Sequence, residues 1–196
     1  MDKTQDFFAL VFRMRYITRW GLMRNSETEN VAEHSHDVAV LAHALAVIAR
    51  DVFGEDCDPE RSAALAMLHD ASEIFTGDLP TPIKYHNEAL TRSYKEVELL
   101  AGERLLSYLP EAMRPAYAAL LNPDETSPEY RLVKAADKLS AYIKCVEELK
   151  AGNGEFEPAA RQTRTAMEQM QRPELDWFLE HCLDSFGLTL DELEGN

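Results

Sequence analysis

Three stretches of this 196-residue chain open on a helix-capping residue and run on at helical spacing, while strand signals are nearly absent. Asn30 with Glu33 three residues later has the form of a capping box and leads into "VAEHSHDVAVLAHALAVIARDVF". Asp58 then Pro59 is a cap followed by a first-position proline, and that helix is expected to end near Phe75, with Gly77 as its stop. Ser127-Pro128 starts "EYRLVKAADKLSAYIKCVEELKAG", where Leu132, Ala136, Leu139, Ile143 and Val146 form one stripe before Gly152. Further helices are expected over roughly 5–17, 88–109, 111–121, 156–171 and 173–185, with a loop at "TRWGLMRNSETEN". The expected fold is all-α and globular, one domain over 1–196, with helices too uneven for a simple four-helix bundle.

Charge narrows the function classes. A net charge of −15 repels polyanions, which argues against a nucleic acid polymer as partner. No apolar run is long enough to span a bilayer and the N-terminus has no signal core, so the expectation is a cytoplasmic protein without a membrane partner. Cys57, Cys145 and Cys182 are far apart and lack CxxC spacing, so they read as reduced packing residues.

The chemistry concentrates at "LAMLHDASEIFTGDLPTP". Taken alone, His69, Asp70 and Glu73 read as a contact at a helix end, since residues three and four apart are neighbours. Two other helices change that. His34 is in line with Val38, Leu41, Leu45 and Ile48, and Asp137 lies beside the core stripe of its helix. A buried Asp is rare without a partner. One divalent cation would satisfy His34, His69, Asp70 and Asp137 together, and imidazole with carboxylate suits Zn²⁺, Mn²⁺, Fe²⁺, Co²⁺ or Ni²⁺. A zincin HExxH, a GxSxG nucleophile turn and a P-loop are all absent.

The order His34, His69-Asp70, Asp137, with 35 residues between the histidines and 67 from Asp70 to Asp137, resembles the H…HD…D signature of the HD-domain phosphohydrolases. The surrounding "ITRWGLMRN", "TENVAEHS", "HDASEIFTGDLPTPIKY" and "KAADKLSAYIKCVEELKAGN" is similar to bacterial 5′-deoxynucleotidases over roughly 5–190. That resemblance implies hydrolysis of deoxyribonucleoside 5′-monophosphates by a homodimer that works best with Co²⁺ or Mn²⁺. It implies His34, His69, Asp70 and Asp137 as metal ligands, with His34 and Asp137 also at the substrate. Arg19 and Trp20 would orient the phosphate and exclude a 2′-hydroxyl, Glu73 would handle the water, and Asp78, Leu79, Pro80 and Thr81 would form the substrate-binding turn.

The residues support that chemistry on their own terms. A phosphomonoester needs an activated water, neutralised phosphoryl oxygens and help for the leaving alkoxide. Arg19 offers a planar fork for phosphate, and Glu73 is one turn from His69. Asp78 either protonates the 5′-oxygen or binds the sugar, and Lys84 either joins the phosphate site or does not. One metal ion is expected, because no second set of His ligands lies near the first. Arg24 reads as surface, and His36, His43, His86 and His181 as surface, core or dimer packing. Met14, Met23, Met67 and Met113 read as core gap-fillers. The alternatives are an HD enzyme acting on a nucleoside triphosphate or guanosine alarmone, or an inactive nucleotide-binding module. A shortage of Lys and Arg near Arg19, His69 and Asp78 argues against the former, and the presence of Arg19 and Glu73 argues against the latter.

Overall fold

A computed structural model describes residues 5–84 and 86–195, the side chains of Thr81 and Pro82 excepted. Among the described residues the regular structure is helical, apart from one isolated antiparallel bridge between Thr18 and Asn30.

The long helices begin where the caps lie. α2 (Val31–Asp51) carries the capping box, with the Asn30 side chain accepting from Ala32 and Glu33 N–H and Glu33 reaching back to the Asn30 N–H. α3 (Pro59–Met67) is capped by Asp58, which accepts from Arg61 N–H. α8 (Pro128–Lys150) is capped by Ser127. These three helices pack on one another, with α9 (Glu157–Gln169) against α8 and α10 (Pro173–His181) against α2. Val38, Leu41 and Leu45 of α2, Leu65 of α3 and Leu132, Ala136 and Leu139 of α8 meet in the main core. A second cluster joins α1 (Phe7–Val11) and α6 (Glu88–Ser107) through Phe7, Met14, Leu105 and Leu109. α7 (Arg114–Leu121) packs beside α6.

Several boundaries differ from the sequence expectation. Residues Phe12–Tyr16 tighten into a 3₁₀ turn, as do Glu111–Met113, Gly154–Phe156 and Leu183–Gly187. A short α11 (Leu190–Leu193), with its own Thr189–Glu192 capping box, was not expected. The helix expected over 58–75 is broken. It stops at Met67 and restarts as α4 (Glu73–Thr76), leaving His69 and Asp70 in the intervening turn. Bonds from residue i to i−3 replace the α-ladder there: Leu68 N–H to Leu65 O, Ala71 N–H to Leu68 O and Glu73 N–H to Asp70 O. The cause is local. The Ala66 carbonyl that would accept from the Asp70 N–H is taken by the His69 N–H and by His69 Nδ1 at 2.7 Å. Met67, just before the break, is 54% exposed and fills no core gap. Gly77 ends α4 at φ +71°, a conformation costly for side-chain-bearing residues. The chain then runs through Asp78, Leu79 and Pro80, all half-buried, into α5 (Thr81–Lys84).

Candidate metal centre

The His34 imidazole is wholly buried and held from both sides of its ring. Its Nε2 lies 3.2 Å from Asp137 Oδ1 and 3.6 Å from Asp70 Oδ2. Its Nδ1 lies 3.2 Å from Ser140 Oγ and 3.3 Å from Glu29 Oε1. Asp137 and Ser140 are three apart on α8, so one helix face serves both ring nitrogens.

His69 approaches from the turn. Because a carbonyl only accepts, the 2.7 Å contact to Ala66 O puts the proton on Nδ1 and leaves a lone pair on Nε2. That lone pair faces Asp70 Oδ2 at 3.1 Å, acceptor against acceptor, and His69 Nε2 is buried with no hydrogen-bond partner among the described residues. Such a contact is unfavourable unless a positive charge, proton or metal, lies between the atoms. Ligand atoms of His34, His69 and Asp70 all lie within 4.8 Å of one another, a set that can hold a metal ion. Asp137 borders this set through His34.

The electrostatics follow from burial and crowding. Burial alone would lower the His34 pKa, but hydrogen bonds to Asp137 and Glu29 push it up to about 9. Burial would raise Asp70, yet positive charge at His69 and His34 holds it well below the usual carboxylate range. Asp137 is held low against the same burial by His34 and Lys138. Glu73 goes the other way. Burial, with Asp70 and Asp78 nearby, pushes it up to about 9, and its Oε2 also lacks a partner among the described residues. Asp78 is raised by burial and Asp70, though Arg19 opposes this.

The 18–30 loop brings in Arg19 and Trp20. The bridge of Thr18 to Asn30, with Arg19 N–H donating to Glu29 O at 2.9 Å, folds the loop back on itself. Arg19 Nη1 then reaches Asp70 Oδ2 at 3.5 Å, and the Trp20 backbone N–H lies near the Asp78 carboxylate and lowers its pKa. Trp20 sits at φ +55°, which costs roughly 1–2 kcal/mol for a residue with a Cβ and is typical of functional sites. It also packs on Phe156 at 5.3 Å between ring centroids, so the anchoring role and the site role coexist. Far from the ring of ligands, the buried Glu148 carboxylate accepts from Ser26 and Glu27 N–H and from Lys144 Nζ, clamping this loop to α8.

The structure thus brings together His34, His69, Asp70, Asp137, Arg19, Glu73 and Asp78. Trp20 joins them through Asp78. Leu79 and Pro80 form the stiff turn, Pro80 O accepting from Ile83 and Lys84 N–H, while the Thr81 side chain lies outside the described residues. A cleft of about 260 Å³ opens beside His69 and Asp70 and runs past Lys84 and Leu99 to Tyr130 and Lys134; Arg19 and Trp20 are not among its walls. Lys84 pairs with Glu98 at 2.6 Å. Arg24 is a surface charge beside Glu155, and His36, His43, His86 and His181 are exposed. Sequence reasoning did not single out Glu29, Ser140, Lys144 or Glu148. Only the i, i+4 spacing of Lys144 and Glu148 was a signal; Glu29 sits in a loop with no period to reveal it.

The chain is similar to known proteins along nearly its whole length. A family model described as 5′-deoxynucleotidase YfbR-like matches residues 6–186. The chain is 48% identical over 194 residues to a 5′-deoxynucleotidase of Photobacterium profundum, covering 98% of this chain and 100% of the other. It is 48% identical over 192 residues to 5′-deoxynucleotidase YfbR of Escherichia coli, covering 97% and 96%. Among solved structures, an HD-domain phosphohydrolase from Listeria innocua matches with a TM-score of 0.79 at 25% identity, over 92% of this chain and 88% of that one.

Proposed function

The chain belongs to the YfbR-like 5′-deoxynucleotidase family, and from that premise we propose how it hydrolyses deoxyribonucleoside 5′-monophosphates to deoxyribonucleoside and phosphate. His34, His69, Asp70 and Asp137 hold one divalent cation, Co²⁺ or Mn²⁺ before Zn²⁺, Fe²⁺ or Ni²⁺. The carrying observation is the His69 Nε2 lone pair set against Asp70 Oδ2 at 3.1 Å, which calls for positive charge at that point. When bound, the cation supplies Lewis acidity toward the phosphoryl oxygens, and its charge lowers the pKa of nearby water and carboxyl groups.

The chain's own groups do the rest. Glu73, one turn from the ligands, takes a proton from the attacking water at its unpartnered Oε2. The Arg19 guanidinium, mostly buried and already beside Asp70, binds the phosphoryl oxygens through its planar fork. As the bond from phosphorus to the 5′-oxygen breaks, that oxygen needs a proton. Asp78 would either give it or bind the sugar; burial and Asp70 raise its pKa while Arg19 opposes them. Trp20 would disfavour a 2′-hydroxyl, and the turn through Leu79 and Pro80 would bind the nucleoside.

The protein is further read as a cytoplasmic homodimer in a single domain. No helix among the described residues is long and apolar enough to cross a membrane, and Phe12, Tyr16 and Leu22 expose apolar surface that a second copy would cover. A phosphate-release screen of deoxy- and ribonucleoside monophosphates against several divalent ions, after chelation, tests the reading. Activity restored by Co²⁺ or Mn²⁺ and confined to deoxynucleotides is expected. Wild-type turnover by Asp70→Ala would overturn the ligand set, and equal ribonucleotide rates would remove the role of Trp20.

A further inference from the structure

Glu29 has no part in the roles above, yet its carboxylate touches three residues that do. Its Oε1 lies 3.3 Å from His34 Nδ1 and 3.3 Å from Arg19 Nε, and its Oε2 accepts from Trp20 Nε1 at 2.7 Å. Its backbone is bound into the same loop, with Glu29 O accepting from Arg19 N–H. The side chain is 13% exposed, so these contacts are little diluted by water.

Each contact constrains something different. Ser140 Oγ, the other neighbour of His34 Nδ1, is a hydroxyl and can donate or accept. Only the Glu29 carboxylate, an acceptor alone, obliges Nδ1 to carry the proton. Nε2 is then the nitrogen left to face Asp70 and Asp137. Carboxylates behind metal-binding histidines fix tautomer and ring angle in this way. The same oxygen restrains the Arg19 fork. The other oxygen holds the Trp20 indole, whose backbone stands at φ +55°.

We infer that Glu29 is a positioning residue that sets His34 for the cation and Trp20 for the sugar from one carboxylate, linking cation affinity to the preference for deoxyribose. The inference rests on the roles proposed for His34 and Trp20. It also explains a spacing: the loop must return from Trp20 to Glu29 just ahead of the α2 cap, which places Glu29 five residues before His34.

Glu29→Ala and Glu29→Gln test it with two readouts on the whole protein. One is Mn²⁺ affinity of the chelated protein by calorimetry, with no substrate present. The other is the ratio of kcat/KM for dAMP over AMP. Removing an outer carboxylate of this kind costs about 10–100-fold in metal affinity, so Glu29→Ala is expected to lose that much and also to lower the dAMP-to-AMP ratio. Gln has the same shape but one accepting oxygen where His34 Nδ1 and Trp20 Nε1 each face one, so it keeps His34 or Trp20 but not both. At least one readout therefore drops about tenfold in Glu29→Gln even where Ala misfolds. Either folded variant with both readouts unchanged would overturn the inference, as would a melting-temperature loss in both variants with neither readout moved. If the wild type fails to hydrolyse dAMP, the functional reading fails, while the Mn²⁺ titration still decides whether Glu29 supports His34.

Discussion

Replacing Glu148 with Ala removes the anchor of the loop that carries Arg19 and Trp20. Glu148 is 2% exposed and Lys144 is 8% exposed, so this is a buried ion pair, closed at 2.6 Å between Lys144 Nζ and Glu148 Oε1. The carboxylate also accepts from Ser26 N–H at 2.8 Å and from Asn153 Nδ2 at 2.8 Å. Without it, Lys144 Nζ keeps the Glu27 carbonyl, at 2.6 Å, as its hydrogen-bond acceptor among the described residues, and its charge stays buried. Breaking a buried pair from one side costs roughly 3–5 kcal/mol. In a chain of this size each kcal/mol moves the melting temperature by about 2–4 °C, so Glu148→Ala is expected to melt about 6–20 °C lower. A Lys144→Met/Glu148→Leu double variant leaves no charge unpaired and is expected to recover part of the loss, since Ser26 N–H and Asn153 Nδ2 still lack their acceptor. The pH dependence has a definite sign. Burial would raise the Glu148 pKa, but Lys144, Asn153 and Ser26 hold it far below its ordinary 4.5. Its contribution is therefore complete above the unfolded value and is lost as the pH falls toward the folded one. The gap between wild type and Glu148→Ala should be full at neutral pH and narrow as the pH drops below 4.5. Calorimetric melts at several pH values read both quantities. A drop of under about 3 °C at pH 7, or a gap independent of acid, would refute the clamp.

Three other outcomes follow from the same geometry. Without the cation both His34 and Glu73 hold a proton up to about pH 9, so cation binding at pH 7 should release about one to two protons per ion and tighten as pH rises toward that value; calorimetry in buffers of different ionisation enthalpy measures it, and buffer-independent heats would contradict it. Glu73→Gln should lower kcat by about 10²–10⁴-fold with Mn²⁺ affinity little changed, because Glu73 works on the water and is not among the ligands; equal losses in both would make it a ligand. Gly77→Ala forces a Cβ into φ +71°, ψ 168° and should cost about 1–3 kcal/mol of stability in urea unfolding, although no neighbouring atom lies within 4 Å of the new methyl group.

The all-α fold was legible because helix starts are local. Asn30 with Glu33, Asp58 with Pro59 and Ser127 with Pro128 each satisfy orphan N–H groups within one turn, so no distant residue is needed to place them. His34 and Asp137 could be aimed inward for the same reason: the period of α2 and α8 assigns every residue a face. The break at His69 was hidden, since "LAMLHDASEIF" has helical spacing throughout and the competition for the Ala66 carbonyl is settled by an imidazole rotamer.

What periodicity determined, then, is which residues face inward. What only tertiary packing decided is which of them meet. The stacking of α2 on α8 sets Asp137 and Ser140 on opposite nitrogens of His34, and the broken helix turns His69 Nε2 toward Asp70. The 18–30 loop is the extreme case. Its path depends on Glu148 and Lys144, more than a hundred residues away, and only along that path does Glu29 reach His34, Arg19 and Trp20 together. Contacts between residues so distant in sequence carry no local period, because they are selected by the free energy of the whole packed arrangement.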